Sequence, residues 1–147
     1  MASTVEDFLS KSDEQAIVEA IRQSETRTSG EIRVHLEHHS NKEDALIRAQ
    51  ELFHLLKMDN TKEENGVLIY VAVDDHKLAI CGDAGINKVV PPDFWESTKD
   101  AMIAQFAQGN FRDGLIEGVQ SAGEKLAAFF PWKHGDKNEL PDEISTS

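Results

Sequence analysis

The stretch VLIYVAVDDHKLAICGDAG, residues 67–85, decides the fold. Its first seven residues, VLIYVAV, are apolar at nearly every position, with none of the polar alternation of a half-wet strand. Such a run reads as a central strand covered on both faces. It is far short of the roughly 20 residues needed to span a bilayer. Asp74-Asp75-His76 then turns the chain, and Lys77 to Gly82 returns as an antiparallel partner.

Upstream, EIRVHLE at 31–37 alternates: Ile32, Val34 and Leu36 face one way, Glu31, Arg33, His35 and Glu37 the other. That pattern predicts a strand with one face at least partly wet. Between the two strands, Ala45, Leu46, Ala49, Leu52, Phe53 and Leu56 recur at helical spacing, predicting a helix over 42–56. Strand, helix and strand in that order favour a parallel, right-handed crossover. Ser12 and Gln15 form a capping-box pattern ahead of a helix over 13–26. Downstream, Pro91-Pro92 opens a helix over 93–108, Gly109-Asn110 closes it, and a last helix runs over 111–130. The expected fold class is α/β: a three-layer α/β/α sandwich on a small mixed sheet, with a parallel βαβ unit and a following β-hairpin. One domain fills 1–131, and 132–147 is a polar tail in which NELPDEI is the segment able to dock.

With 39% hydrophobic and 29% charged residues in 147, the chain is globular in composition and long enough for one core. Fifteen Lys and Arg against 27 Asp and Glu leave a net charge of −12. Such a surface repels nucleic acid and anionic lipid, and attracts metal cations or a basic protein partner. Cys81 is the only cysteine, so neither an intrachain disulfide nor a cysteine-based zinc site forms. The opening MASTVEDFLSK has no basic, apolar leader pattern, and the expectation is a soluble cytoplasmic protein without membrane insertion.

Hairpin length separates the aspartates. From the turn to Asp83 the strand spans about 20 Å, so Asp74 and Asp75 cannot share an ion with Asp83. Asp83 leaves the hairpin at the end where Asn65-Gly66 opens the central strand and Glu31 opens the first one. Gly82 and Gly85 allow the chain to turn closely around it. Asp93 and Asp113, each at a helix start, are candidates for the same edge, although helix-start carboxylates are also favoured by the dipole alone. Glu31, Asp83, Asp93 and Asp113 therefore form the expected metal set, all oxygen and suited to Ca²⁺ or Mg²⁺. Asp74 and Asp75 are a second-choice site, with a plain turn as the competing reading. Arg33 and Arg112 are the candidate phosphate contacts. His35, Glu37 and His39 share a strand face, where a zinc set competes with an ordinary exposed surface. The EF-hand, P-loop, nucleophile-elbow and dinucleotide patterns are absent.

Four motifs in order, TSGEIRVHLE, NGVLIYVAVDDHKLAICGDAGI, PPDFWES and FAQGNFRDGL, resemble the TPM domain family over about Phe8 to Pro131. That family includes thylakoid-lumen proteins linked to photosystem II repair and many bacterial proteins. The resemblance implies an α/β/α sandwich, an acidic cleft that binds divalent cations, and the acid-phosphatase activity proposed for plant relatives. The positions that match are Asp75 and Lys77 in the turn, Gly82 and Gly85 after it, and Asp93. Many relatives carry an aromatic residue between the two glycines, where Asp83-Ala84 stands here, and many add a signal peptide or membrane segment, neither of which is expected here. Two functions follow as expectations: a cation-binding interaction module, or a metal-dependent phosphoester hydrolase using the same cleft.

Overall fold

The computed structural model describes residues 9–40, 44–59, 61, 64–132 and 144–146. Its elements are α1 (Lys11–Glu25), β1 (Glu31–Glu37), α2 (Ala45–Leu55), β2 (Gly66–Ala72), β3 (Lys77–Gly82), α3 (Ala84–Asn87), α4 (Glu96–Ala107), α5 (Phe111–Phe129) and β4 (Ser145–Thr146). The sheet order is β3-β2-β1-β4. β1 and β2 are parallel, with Glu31 opposite Gly66 and Glu37 opposite Ala72. β2 and β3 are antiparallel, with Val67 opposite Gly82 and Ala72 opposite Lys77. All seven residues of β2 are buried, as an unbroken apolar run requires.

The two faces of the sheet carry separate cores. Ile32, Val34, Val67, Ile69 and Ile80 pack against α1, α4 and α5 through Ile17, Ile21, Met102, Leu115 and Val119. On the other face Leu68, Tyr70, Ala79 and Cys81 meet Ala49, Leu52 and Phe53 of α2. Each such buried aliphatic or aromatic side chain contributes on the order of 1.5–3 kcal/mol. The molecule is therefore the three-layer sandwich expected.

Local differences from the sequence reading have identifiable causes. The capping box of α1 sits two residues earlier than Ser12 and Gln15. Ser10 Oγ accepts from the Asp13 amide at 3.1 Å, and Asp13 Oδ2 accepts from the Ser10 amide at 3.2 Å. α2 starts late because Asp44 caps it, accepting from the Leu46 amide at 2.9 Å. Where the flanking glycines predict a turn, Asp83 caps a single helical turn, α3. At the C-terminus, Ser145 and Thr146 pair in parallel with His35 and Leu36, so the residues directly after NELPDEI add a strand to the sheet.

α5 lies between two helices and is notched for both. α4 runs antiparallel to it: Thr98 and Ser121 hydroxyls meet at 2.6 Å, and Lys125 Nζ donates to the Phe94 carbonyl at 2.7 Å. A Cβ added at Gly118 would stand 2.4 Å from Met102 Sδ. α1 runs parallel to α5, joined at its start by Arg112 and Asp13 at 3.7 Å and at its end by Ser24 against Gly123. A Cβ at Gly123 would lie 2.7 Å from Ser24 Cβ and 3.4 Å from Ser24 Cα, which cannot swing aside. Gly123→Ala is therefore expected to force the two helices apart and destabilise the fold by about 1–3 kcal/mol, measurable as a lowered urea midpoint with an unchanged slope.

Candidate functional site

At the end of the sheet where β2 begins, the chain crowds around Asp83. The Asp83 amide donates to the Gly66 carbonyl at 2.9 Å, and the Gly85 amide donates to the Glu64 carbonyl at 2.9 Å. These bonds pin the loop before β2 against the loop after β3. One carboxylate oxygen of Asp83 caps α3, accepting from the Ala84 amide at 2.7 Å. Its other oxygen, Oδ2, is buried and has no hydrogen-bond partner among the described residues. Burial raises the pKa of this carboxyl above its ordinary value; the Ala84 amide opposes that, and the carboxylates of Glu64 and Asp59 add to it.

Sequence reasoning missed Glu64 and Asp59. The signal was the acidic MDNTKEEN run feeding straight into Asn65-Gly66. Glu64 adopts a left-handed backbone with φ 53° and Lys57 one of 58°, a conformation that costs a non-glycine residue on the order of 1 kcal/mol. Strain of that kind is held only where surrounding contacts fix the loop, here the amide bond from Gly85.

The other expected ligands divide. Glu31 starts β1 opposite Gly66 and is buried, so it shares the Asp83 end of the sheet, two strand spacings or about 10 Å away in backbone. Asp93 precedes α4 and is exposed. Asp113 does not join them. It opens α5 at the far end of the sheet and stands exposed, 3.2 Å from Arg112 Nε. Arg112, bound also to Asp13, leaves the site with it. Among the described residues, no three His, Cys, Asp or Glu side chains group closely enough to hold a metal ion.

At the opposite end, the turn aspartates act as anchors. His38 Nδ1 meets Asp74 Oδ2 at 2.8 Å, and His39 Nδ1 meets Asp75 Oδ1 at 2.8 Å. The Ser40 amide donates to Asp75 Oδ2 at 2.7 Å. His76 completes the tight turn with φ 54°. These contacts tie the segment after β1 to the β2–β3 hairpin, which accounts for both aspartates structurally.

The polar face of β1 is buried, contrary to the wet face its alternation suggested. Glu37 receives Arg48 Nη2 at 2.6 Å and Nε at 3.1 Å, and the Tyr70 hydroxyl donates to it as well. His35, 1% exposed, meets the Ser145 hydroxyl at 2.7 Å through Nδ1 and stacks on Tyr70 with ring centroids 6.3 Å apart. Burial lowers its pKa to about 4 against the pull of Glu37. His35 and Glu37 are thus committed to Ser145 and Arg48, and a zinc set with His39 does not form. Burial and the nearby Asp83 push the Cys81 thiol up to about 11, which leaves it a protonated residue of the second core.

The TPM domain family model matches residues 3–125. The chain belongs to the TPM domain family. Its fold is similar to the NMR structure of the BA42 protein from the psychrophilic bacterium Bizionia argentinensis, at 55% identity and a TM-score of 0.90, covering 99% of this chain and 100% of that one. The N-terminal domain of a P. gingivalis protein matches at 24% identity and a TM-score of 0.66, covering 84% of this chain and 79% of the other. The N-terminal domain of cg2496 from Corynebacterium glutamicum matches at 14% and 0.63, covering 95% and 80%; both of these share the fold alone. No curated protein matches significantly. Among the described residues of this TPM domain, no helix is long and apolar enough to cross a membrane.

Two outcomes test the buried network of the TPM domain. Arg48→Ala strands the Glu37 carboxylate in the core and is expected to cost about 3–5 kcal/mol in urea unfolding. For His35, the unfolded chain binds the proton more readily than the folded one between about pH 6.5 and 4, so stability falls on acidification through that window. Thermal melts of His35→Gln should show a shallower loss across the same range than the wild type.

Proposed function

We propose that this TPM domain binds a divalent cation, Ca²⁺ or Mg²⁺, at the acidic sheet end around Asp83, and that the loaded edge serves as an interaction module for a basic partner. The observation that carries this reading is the buried Oδ2 of Asp83, an acceptor with no donor among the described residues, set in the field of Glu64 and Asp59. An unsatisfied buried carboxylate oxygen is costly, and a hard cation removes that cost by direct coordination. Asp83 supplies the inner ligand, backbone carbonyls of the flanking loops and water fill most of the shell, and Glu64, Asp59 and Glu31 contribute charge around it. A set with so few side-chain ligands suits an ion that retains much of its water, as Mg²⁺ does. The net charge of −12 supports a basic partner.

Phosphoester hydrolysis is the second reading, and it retains Arg33 alone of the two candidate phosphate contacts. β1 places Arg33 one pleat beyond Glu31 on the same sheet face. There a guanidinium would hold a phosphoryl oxygen while the cation offsets the developing charge. Turnover of p-nitrophenyl phosphate that requires Mg²⁺ and is lost in both Asp83→Asn and Arg33→Met would favour hydrolysis over docking.

Asp83→Asn tests the cation site directly, because asparagine caps a helix as well as aspartate does. Proton linkage makes the metal-free wild type lose stability as pH rises through the carboxylate range, since the folded carboxyl holds its proton more tightly than the unfolded one. The variant should therefore be at least as stable as wild type without metal at neutral pH. Its Ca²⁺ and Mg²⁺ affinities should drop at least about tenfold, roughly 1.4 kcal/mol, read by backbone amide shifts at Glu64–Gly66 and Gly82–Gly85. Equal affinity in the two proteins would remove Asp83 from the site.

A further inference from the structure

A cavity opens at the other end of the sheet from Asp83, where β2 gives way to β3. It encloses about 790 Å³, within the roughly 300–1,000 Å³ typical of small-molecule sites. Val71, Val73 and Leu78 form its floor, and Ile103, Phe106 and Phe111 its wall.

The sequence of α4 explains why the cavity is there. Thr98 and Met102 turn toward α5 and are fully buried. Lys99, Ile103, Phe106 and Ala107 fall on an adjacent stripe at helical spacing and line the cavity instead. Ile103 is 51% exposed on that stripe, an apolar side chain that the core does not use. From Lys99 to Ala107 the helix rises about 12 Å.

Charge at this cavity runs against that of the molecule. In a chain with 27 acidic and 15 basic residues, the described lining holds Lys77, Lys99 and His76 against one carboxylate, Asp44. Asp44 is already committed to capping α2. The Lys99 ammonium is 3.4 Å from Glu96 in an i,i+3 pair on the surface, an interaction weak enough to be given up for a ligand.

We propose that this cavity is a binding site for an amphipathic organic anion, an aliphatic carboxylate of about ten carbons, whose extended length matches the roughly 12 Å stripe of α4. The alkyl chain lies on Val71, Leu78, Ile103 and Phe106, and the carboxylate sits in the field of the Lys77 and Lys99 ammonium groups that line the cavity. An apolar chain alone would fill the floor and wall; the two ammonium groups select an anionic head. The site is independent of the cation site, since Lys77 and Asp83 bracket β3 and lie at opposite ends of the sheet.

Titration of methyl-labelled, metal-free protein with sodium decanoate below its micelle concentration tests the proposal, with decan-1-ol as the uncharged comparator. Saturable shifts of the Val71, Val73, Leu78 and Ile103 methyls are expected, with at least tenfold weaker binding for decanol. Lys77→Gln/Lys99→Gln should weaken decanoate at least tenfold and leave decanol unchanged. Ile103→Asp, a change at a half-exposed position that spares the fold, should abolish both. Decanol binding as tightly as decanoate, shifts spread over Leu46, Ile47 and Leu55 on the exposed side of α2, or no saturable shift at all would each overturn the site. Saturable shifts in the cavity that survive Ile103→Asp would do the same.

Discussion

Strand β2 has no face that water can touch, and the rest of the molecule follows from that. A strand buried on all seven residues needs a neighbour on each edge and a layer of helix on each side. β1 and β3 satisfy its backbone, α2 covers one face, and α1, α4 and α5 cover the other. Tyr70 alone brings a polar atom into this strand's interior, and its hydroxyl is the point where the second core becomes ionic. Glu37 accepts from it, Arg48 closes on Glu37, and α2 is thereby fixed in rotation as well as in distance. An all-apolar contact would allow α2 to slide; a bidentate guanidinium does not.

The alternations and apolar runs of the sequence were sufficient for β1, β3, the parallel crossover and the long helices, because each of those elements is set by local periodicity. What was not legible depends on partners far away in the chain. EIRVHLE reads as half wet because its second face is charged and aromatic, yet Arg48, Tyr70 and Ser145 bury that face from three other elements. No local pattern could announce a partner 110 residues away. The one-turn helix after β3 was hidden for a different reason: flanking glycines signal a turn, and only the fit of Asp83 to the Ala84 amide converts it into a capped helix.

The acidic end was legible in outline and wrong in membership. Hairpin length was enough to separate Asp83 from Asp74 and Asp75, and strand register was enough to bring Glu31 to the same end. Asp113 failed because placing it required the direction of α5. That helix starts at the far end of the sheet and finishes beside Gly30, so its first turn is carried away from Asp83. Asp59 and Glu64 were overlooked because a polar loop before a strand ordinarily carries no structural weight. Here the loop is held by amide bonds on both sides of Gly66, and its charges fall on a neighbour that is already buried.

The short strand β4 decides what the outer edge of the sheet exposes. Its two residues, Ser145 and Thr146, pair with β1, which lies more than a hundred residues earlier in the chain. The three-stranded part of the sheet is complete once β3 has appeared, while the outer edge of β1 still offers unpaired amides and carbonyls, the kind of edge that recruits foreign strands. Without β4 the sheet would present an open border with the imidazole of His35 uncovered beside it, so two residues stand between that edge and strand-to-strand association.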